Sequence, residues 1–295
     1  MAHYPLKYRK PPRRRISFSR ILMFLLLLAM IAYPFWEAGR LTVEERTVQV
    51  ANLHPNLKGM RIVFVSDIHA GRFFSQGRVV NLINTINGLR PDLVILGGDY
   101  GEDSDGAIQF FRSAPYIQAR LGVFGVVGNH DRTEPESNFS LLIREMTKYG
   151  CMPLTNNVAR VKVGQTYAYI AGVDDFYNGF PDVAAVASQV SREDFVIFTG
   201  HSPDLLPAAF AAKSRENDTH WYDLALFGHT HGGQVTLFGR PLVPNLRPEI
   251  GLRYLSGWRE ENRASILVSN GIGTSNFPVR LFAVPQIHLI TLKGK

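Results

Sequence analysis

Five of the nine histidines in this 295-residue chain fall in short polar clusters, and each cluster follows an apolar run. "MRIVFV" runs into "SDIHAG", which supplies Asp67 and His69. "DLVIL" runs into "GGDY" with Asp99, and "GVFGVV" into "GNHD" with Asn129, His130 and Asp131. "DFVIF" leads to "TGHSP" with His201, and "DLALF" to "GHTHGG" with His229 and His231. A single aspartate in such a place is an ordinary turn residue, and a single histidine is an ordinary core residue. Five runs behaving alike need a common cause. Carboxylate, amide and imidazole donors with no cysteine among them suit borderline-to-hard divalent ions. They also outnumber the four positions of one tetrahedral ion. Two ions sharing a carboxylate account for the number.

To meet at one place, these clusters must sit at the same end of a sheet. The apolar runs have strand length and read as buried strands: 60–67, 92–99 and 122–129, then the segments ending at His201 and His229. "VVNLINTINGL" (79–89), "AIQFFRSA" and "SLLIREMTKYG" (140–150) have helical spacing between them. After Cys151 the segments become shorter, as in "VARVKVG", "TYAYIAGVDD", "ASILVSNG" and "QIHLITLK". The expected architecture is one α/β domain of two packed sheets with helices outside. In an open α/β sheet the carboxyl ends of the strands form the ligand crevice. Two residues apart on an extended segment, His229 and His231 would point the same way into it. The glycines beside the clusters would let the backbone approach closely. The lone cysteine, Cys151, excludes an intramolecular disulfide and a thiolate metal cluster.

The charge lies elsewhere. Residues 1–20 carry Lys7, Arg9, Lys10, Arg13, Arg14, Arg15 and Arg20 and no acid, which accounts for the whole net charge of +7. The other 275 residues balance at 25 basic against 25 acidic side chains. A basic groove for nucleic acid is therefore not expected on the domain. After the basic tail comes "ILMFLLLLAMIAYPFW" (21–36). Residues 16–36 as a helix would span roughly 30 Å, about one hydrocarbon core, with Tyr33, Phe35 and Trp36 at an aromatic interface. A cleaved signal peptide would look similar, but no small-x-small cleavage site follows, so an uncleaved single-pass anchor is expected. The positive-inside rule then leaves the N-terminus in the cytoplasm and the main domain across the membrane. The chain divides into a basic tail (1–20), a signal-anchor (21–36), a connector with a strand "RTVQVANL" (37–58) and the main domain (59–295).

Asp-x-His, Gly-Asp, Gly-Asn-His-Asp, Gly-His and Gly-His-Thr-His, in that order, resemble the calcineurin-like metallophosphoesterase superfamily over roughly residues 58–293. "SDIHAG" and "GHTHGGQ" resemble the bacterial, membrane-associated phosphodiesterases of the YkuE and YaeI type within it. The resemblance implies two mixed β-sheets sandwiched between helices, placed after the anchor at a bacterial inner membrane. It implies one divalent ion on Asp67, His69, Asp99 and His231. A second would lie on Asp99, Asn129, His201 and His229, with Asp99 bridging. Mn, Fe, Zn and Ni all tolerate such ligands. Two such ions activate a water and neutralise phosphate oxygens, so the expected activity is phosphodiester hydrolysis.

His130 is the candidate general acid. Asp131 would either orient His130 or cap the following helix. A pyrophosphatase acting on a lipid precursor, like enzymes that cleave UDP-diacylglucosamine, is the alternative suggested by the anchor and by Phe73, Phe74, Phe176 and Tyr177. Ordinary packing is the simpler expectation for these four aromatics. A non-catalytic, membrane-anchored metal-binding module would be expected from an incomplete ligand set, and this set is complete. Arg280, in "NFPVRLF", could reach a phosphate, but a solvated loop position is expected. The natural substrate, lipid-linked or not, and the oligomeric state are open at the level of sequence.

Overall fold

The computed structural model describes residues 17–133, 136–242, 246 and 248–295. The basic side chains from Lys7 to Arg15 lie outside them. The chain opens with helix α1 (Phe18–Gly39), which is long and apolar enough to cross a membrane by length and composition. Its side chains from Phe18 to Trp36 are largely exposed, whereas Glu37 and Ala38 in its last turn are buried.

One sheet contains β1 (Thr42–Val50), β2 (Arg61–Val65), β3 (Leu93–Leu96), β4 (Val123–Gly125), β5 (Cys151–Pro153) and β14 (Gln286–Gly294). Its order is β1-β14-β2-β3-β4-β5, and only the β14–β2 pair is antiparallel. The second sheet has the order β12-β13-β9-β8-β7-β6. Its strands are β6 (Asn157–Val163), β7 (Thr166–Gly172), β8 (Phe195–Thr199), β9 (Leu224–Phe227), β12 (Gly257–Glu261) and β13 (Ala264–Val268). Here the β12–β13 and β6–β7 pairs are antiparallel and the central ones parallel. A two-stranded hairpin, β10 (Thr236–Leu237) with β11 (Arg240–Pro241), stands apart from both sheets.

The two-residue period of a strand sorts the apolar side chains into layers. Ile62 and Phe64 of β2 and Leu93 and Ile95 of β3 face Ile197 of β8 and Leu224 and Leu226 of β9 in the core between the sheets. The alternate residues Val63, Val65, Val94 and Leu96 pack under α2 (Gln76–Gly88), α3 (Ser104–Ser113) and α4 (Glu136–Tyr149). On the far side, Val196, Phe198, Ala225 and Phe227 pack against α5 (Val183–Ala187) and α6 (Leu206–Ala211). The result is two mixed sheets sandwiched between helices, as the resemblance implies. Cys151 is buried in the first helical layer, and burial pushes its thiol pKa up.

Two of the helices, α3 and α5, begin at an aspartate that caps them. Asp103 accepts the Gly106 N–H at the start of α3, which satisfies one of the donors a helix leaves free at its start. The segment between α1 and β2 is part of the sheet: β1 runs parallel to β14 along nine residue pairs. Pairing of this kind, between segments some 240 residues apart, leaves no local signature in sequence.

Candidate metal centre

The five polar clusters leave β2, β3, β4, β8 and β9 at the ends of these strands and meet. They do so through unusual backbone. Asp67, His69, Asp99, His229 and His231 all have left-handed φ, between 45° and 70°, a region that non-glycine residues rarely occupy and that clusters at functional sites. His229 and His231 thus converge through two left-handed residues and a tight turn, not through the alternation of an extended segment as the sequence suggested. Neighbouring glycines make this closeness possible. A Cβ on Gly228 would lie 2.3 Å from Asp67 Oδ2, and one on Gly128 would lie 2.2 Å from Asp99 Oδ1.

The candidate ligand atoms form two adjoining groups. In the first, donor atoms of Asp67, His69 and His231 all lie within 4.8 Å of one another. His69 Nε2 is 3.1 Å from His231 Nε2 and 3.5 Å from Asp99 Oδ2. In the second, His201 Nε2 is 3.2 Å from the same Asp99 oxygen, and His229 Nδ1 is 3.0 Å from Asn129 Oδ1. The Asp99 carboxylate lies between the two groups. All seven residues singled out as ligands in the sequence are brought together.

The donor set fits divalent ions on two counts. His201 donates from Nδ1 to the Gly97 carbonyl at 2.8 Å. Its buried Nε2 has no hydrogen-bond partner among the described residues, although it stands beside two carboxylates. A ligand histidine must also be neutral. Burial, outweighing Asp99, holds the His69 pKa down to about 4 and the His229 pKa down to about 3. Burial, His69 and the Arg280 guanidinium hold His231 well below the usual imidazole range. For His201, burial is outweighed by Asp99 and Asp67, which hold its proton; a cation in that place would take over the pairing. Burial, partly offset by His201, raises Asp67 to about 6. At Asp99 burial is outweighed by His201 and His69, so the pKa lies well below the carboxylate range.

His130 lies at the edge of this centre. Its ring packs edge-on against His69 at 4.8 Å between centroids, and one ring nitrogen lies within 4.8 Å of donor atoms of His69 and Asp99. Its backbone N–H donates to Asp99 Oδ1 and its Nδ1 bonds the Glu102 carbonyl at 2.8 Å. Burial lowers its pKa, but Asp99 and the Glu102 carbonyl more than offset that, and the net shift is upward.

Among the described residues, the Asp131 carboxylate bonds neither the His130 ring nor the start of a helix. It is fully buried, and its carboxylate accepts the backbone N–H groups of Asp99, Tyr100 and Gly128 at 2.7–2.9 Å. Burial and the nearby Asp99 raise its pKa to about 7. Its work is to clamp the two turns that carry Asp99 and Asn129.

Arg280 is likewise not a solvated loop residue: it is 0% exposed. Its guanidinium donates to the carbonyls of Gly273, Ala283 and His231, and Nη2 lies 3.2 Å from His231 Nδ1. An arginine flanked by apolar residues on both sides, as in "PVRLFAV", was the available signal. Of the four aromatics, Phe74 is core and Phe73 and Phe176 are half-buried. Tyr177 stays 39% exposed, packs its ring 4.8 Å from that of His229, and donates its hydroxyl to Asp204.

The model of the calcineurin-like phosphoesterase family matches residues 60–233, more than half of the chain. The chain is 28% identical over 267 residues to the uncharacterized metallophosphoesterase YkuE of Bacillus subtilis, covering 88% of each chain. It is 27% identical over 249 residues to the phosphodiesterase YaeI of Escherichia coli, covering 83% of this chain and 86% of that one. It is also 28% identical over 295 residues to a transmembrane protein with a metallophosphoesterase domain from Danio rerio, covering 94% of this chain and 63% of that longer one.

Proposed function

Because the chain belongs to the calcineurin-like phosphoesterase family, a family of divalent-metal hydrolases, we propose that it hydrolyses phosphodiesters at a centre for two ions, beside a membrane that α1 spans. The observation that carries this reading is the Asp99 carboxylate, with His69 on one side and His201 on the other. Asp67, His69, Asp99 and His231 would hold one ion, and Asp99, Asn129, His201 and His229 the other. When bound, the ions supply an acidified water and neutralise phosphate oxygens. The residues of the chain do the rest. His130 bonds the Glu102 carbonyl through Nδ1, which leaves Nε2 to carry a proton to the departing alkoxide. Tyr177 walls the side next to His229. Mn, Fe, Zn and Ni all suit this donor set.

In this reading the excess of basic residues before α1 favours a basic N-terminus inside a bacterial cell and a catalytic domain outside the cytoplasm. The test is metal dependence. Protein stripped by a chelator is expected to cleave bis(p-nitrophenyl) phosphate at least about tenfold more slowly than the same sample resupplied with Mn²⁺, since the ions carry the developing charge. Equal rates in excess chelator would refute the proposal.

Arg280 gives a second expectation. Arg280→Met keeps the apolar stem but frees His231 and leaves the Gly273 and Ala283 carbonyls without their donor. Groups that orient ligand histidines typically contribute about 10–100-fold to metal affinity. A Mn²⁺ titration of the variant, read by calorimetry, is expected to show a loss of that order. Unchanged affinity would refute that role for Arg280.

A further inference from the structure

Two hydrogen-bonded loops lie between the end of α1 and the metal centre, and both expose large apolar side chains. One carries the β10–β11 hairpin, with Leu237 45%, Phe238 94% and Leu242 59% exposed; the other carries Phe277 at 63% and Phe282 at 66%. The Thr236 N–H donates to the Leu281 carbonyl and the Leu281 N–H to that of Gln234. The Gln234 side chain bonds the carbonyls of Ser275 and Phe277. One end of this platform follows directly on His231. The other end is fastened to the apolar helix: Arg280 N–H donates to the Pro34 carbonyl at 2.9 Å, and Ala283 N–H to Glu37 Oε1 at 2.8 Å.

This last contact fixes a height. Pro34 lies inside the apolar stretch that ends at Trp36, and five residues of helix to Gly39 amount to only about 7–8 Å. If α1 crosses a bilayer, the platform bonded to Pro34 lies at the boundary between headgroups and acyl chains. Exposed phenylalanines and leucines are stable there, whereas a contiguous apolar surface in water is unusual. Arg40 and Arg240, both exposed, are placed to meet anionic headgroups.

We propose that the surface formed by Leu237, Phe238, Leu242, Phe277 and Phe282 is a bilayer contact. Through it the metal centre is held at the membrane surface. The proposal rests on the membrane-anchored reading above.

Its test reads position, not turnover. The sole native cysteine, Cys151, is buried and unreactive, so single cysteines can be introduced and labelled with an environment-sensitive fluorophore. The full chain would carry F238C, F277C, F24C within α1, or Y116C, Tyr116 being an exposed control outside the platform. It would be reconstituted into vesicles of phosphatidylcholine and phosphatidylglycerol doped with a lipid bearing a nitroxide near its headgroup. Labels at 238 and 277 are expected to lose about half their emission or more to the lipid quencher, as residues seated at the acyl boundary do, while the label at 116 responds only to aqueous iodide. Quenching at 24 without quenching at 238 and 277 overturns this proposal and leaves the anchor standing. No lipid quenching at 24 removes the anchored premise along with it. Labels at 238 and 277 shielded from iodide but not reached by the lipid quencher would mark a protein partner or a second copy, and would also overturn the bilayer assignment. None of these readings needs an active or metal-loaded centre.

Discussion

Asp99→Asn is expected to lower kcat/KM for bis(p-nitrophenyl) phosphate by about 1000-fold or more, which corresponds to roughly 4 kcal/mol of lost transition-state stabilisation. Metal content, measured on the purified chain, should fall with it. Asp99 Oδ2 stands 3.2 Å from His201 Nε2 and 3.5 Å from His69 Nε2, while Oδ1 accepts the His130 N–H. Asp67 also reaches both groups, through His231 and His201, but Asp99 in addition holds the segment that carries His130. Asparagine keeps the size but presents one neutral oxygen and an NH₂, whose hydrogens would point at an imidazole or at a cation. It also removes the anion that holds the His201 proton. The fold should survive, because the exchange is isosteric and the amide oxygen can still accept the His130 N–H. Circular dichroism and thermal unfolding would confirm that. A folded variant with the full rate and full metal content would sink the assignment of Asp99 as the shared ligand.

The chemistry was legible in sequence because each buried strand is a continuous apolar run, and the residue after it has nowhere to be except the crevice. Ile62 to Val65 and Leu224 to Phe227 announce their strands, and Asp67 and His229 follow by arithmetic. What stabilises the centre was harder to see. The left-handed backbone at Asp67, His69 and Asp99 has no signature in residue type, since none of these positions is glycine. Tyr177 was visible as an aromatic, but its place beside His229 depends on a loop after β7. Arg280 was mistaken for a solvated residue because the segment around it has no periodicity, so burial could not be inferred from spacing. The same irregular segment bonds Pro34, which ties α1 to the centre. β1 and β12 are edge strands with mixed charged sequences, and their pairing is decided by partners far along the chain.

Asp131→Ala is expected to be the most damaging substitution at a residue that is not itself a ligand. Its carboxylate accepts three buried N–H groups, from Asp99, Tyr100 and Gly128, and alanine leaves all three without a partner. Each orphaned donor costs on the order of 1–3 kcal/mol. Part is recovered because the carboxylate is itself strained by burial and by Asp99, as its raised pKa of about 7 shows. The balance is a loss of roughly 2–5 kcal/mol, and thus a fall in Tm of about 5–20 °C for a domain of this size. The turns bearing Asp99 and Asn129 should relax as well, so metal affinity and kcat fall together with stability. Asp131→Asn can accept two of the N–H groups but turns its own NH₂ toward the third, and should fall between alanine and the native chain. A residue that moves protons would behave otherwise: Tm and metal content would hold while the pH–rate profile lost a limb. Thermal unfolding, metal analysis and a pH profile on the same preparations separate the two, and an unchanged Tm in Asp131→Ala would show that the clamp contributes nothing to the fold.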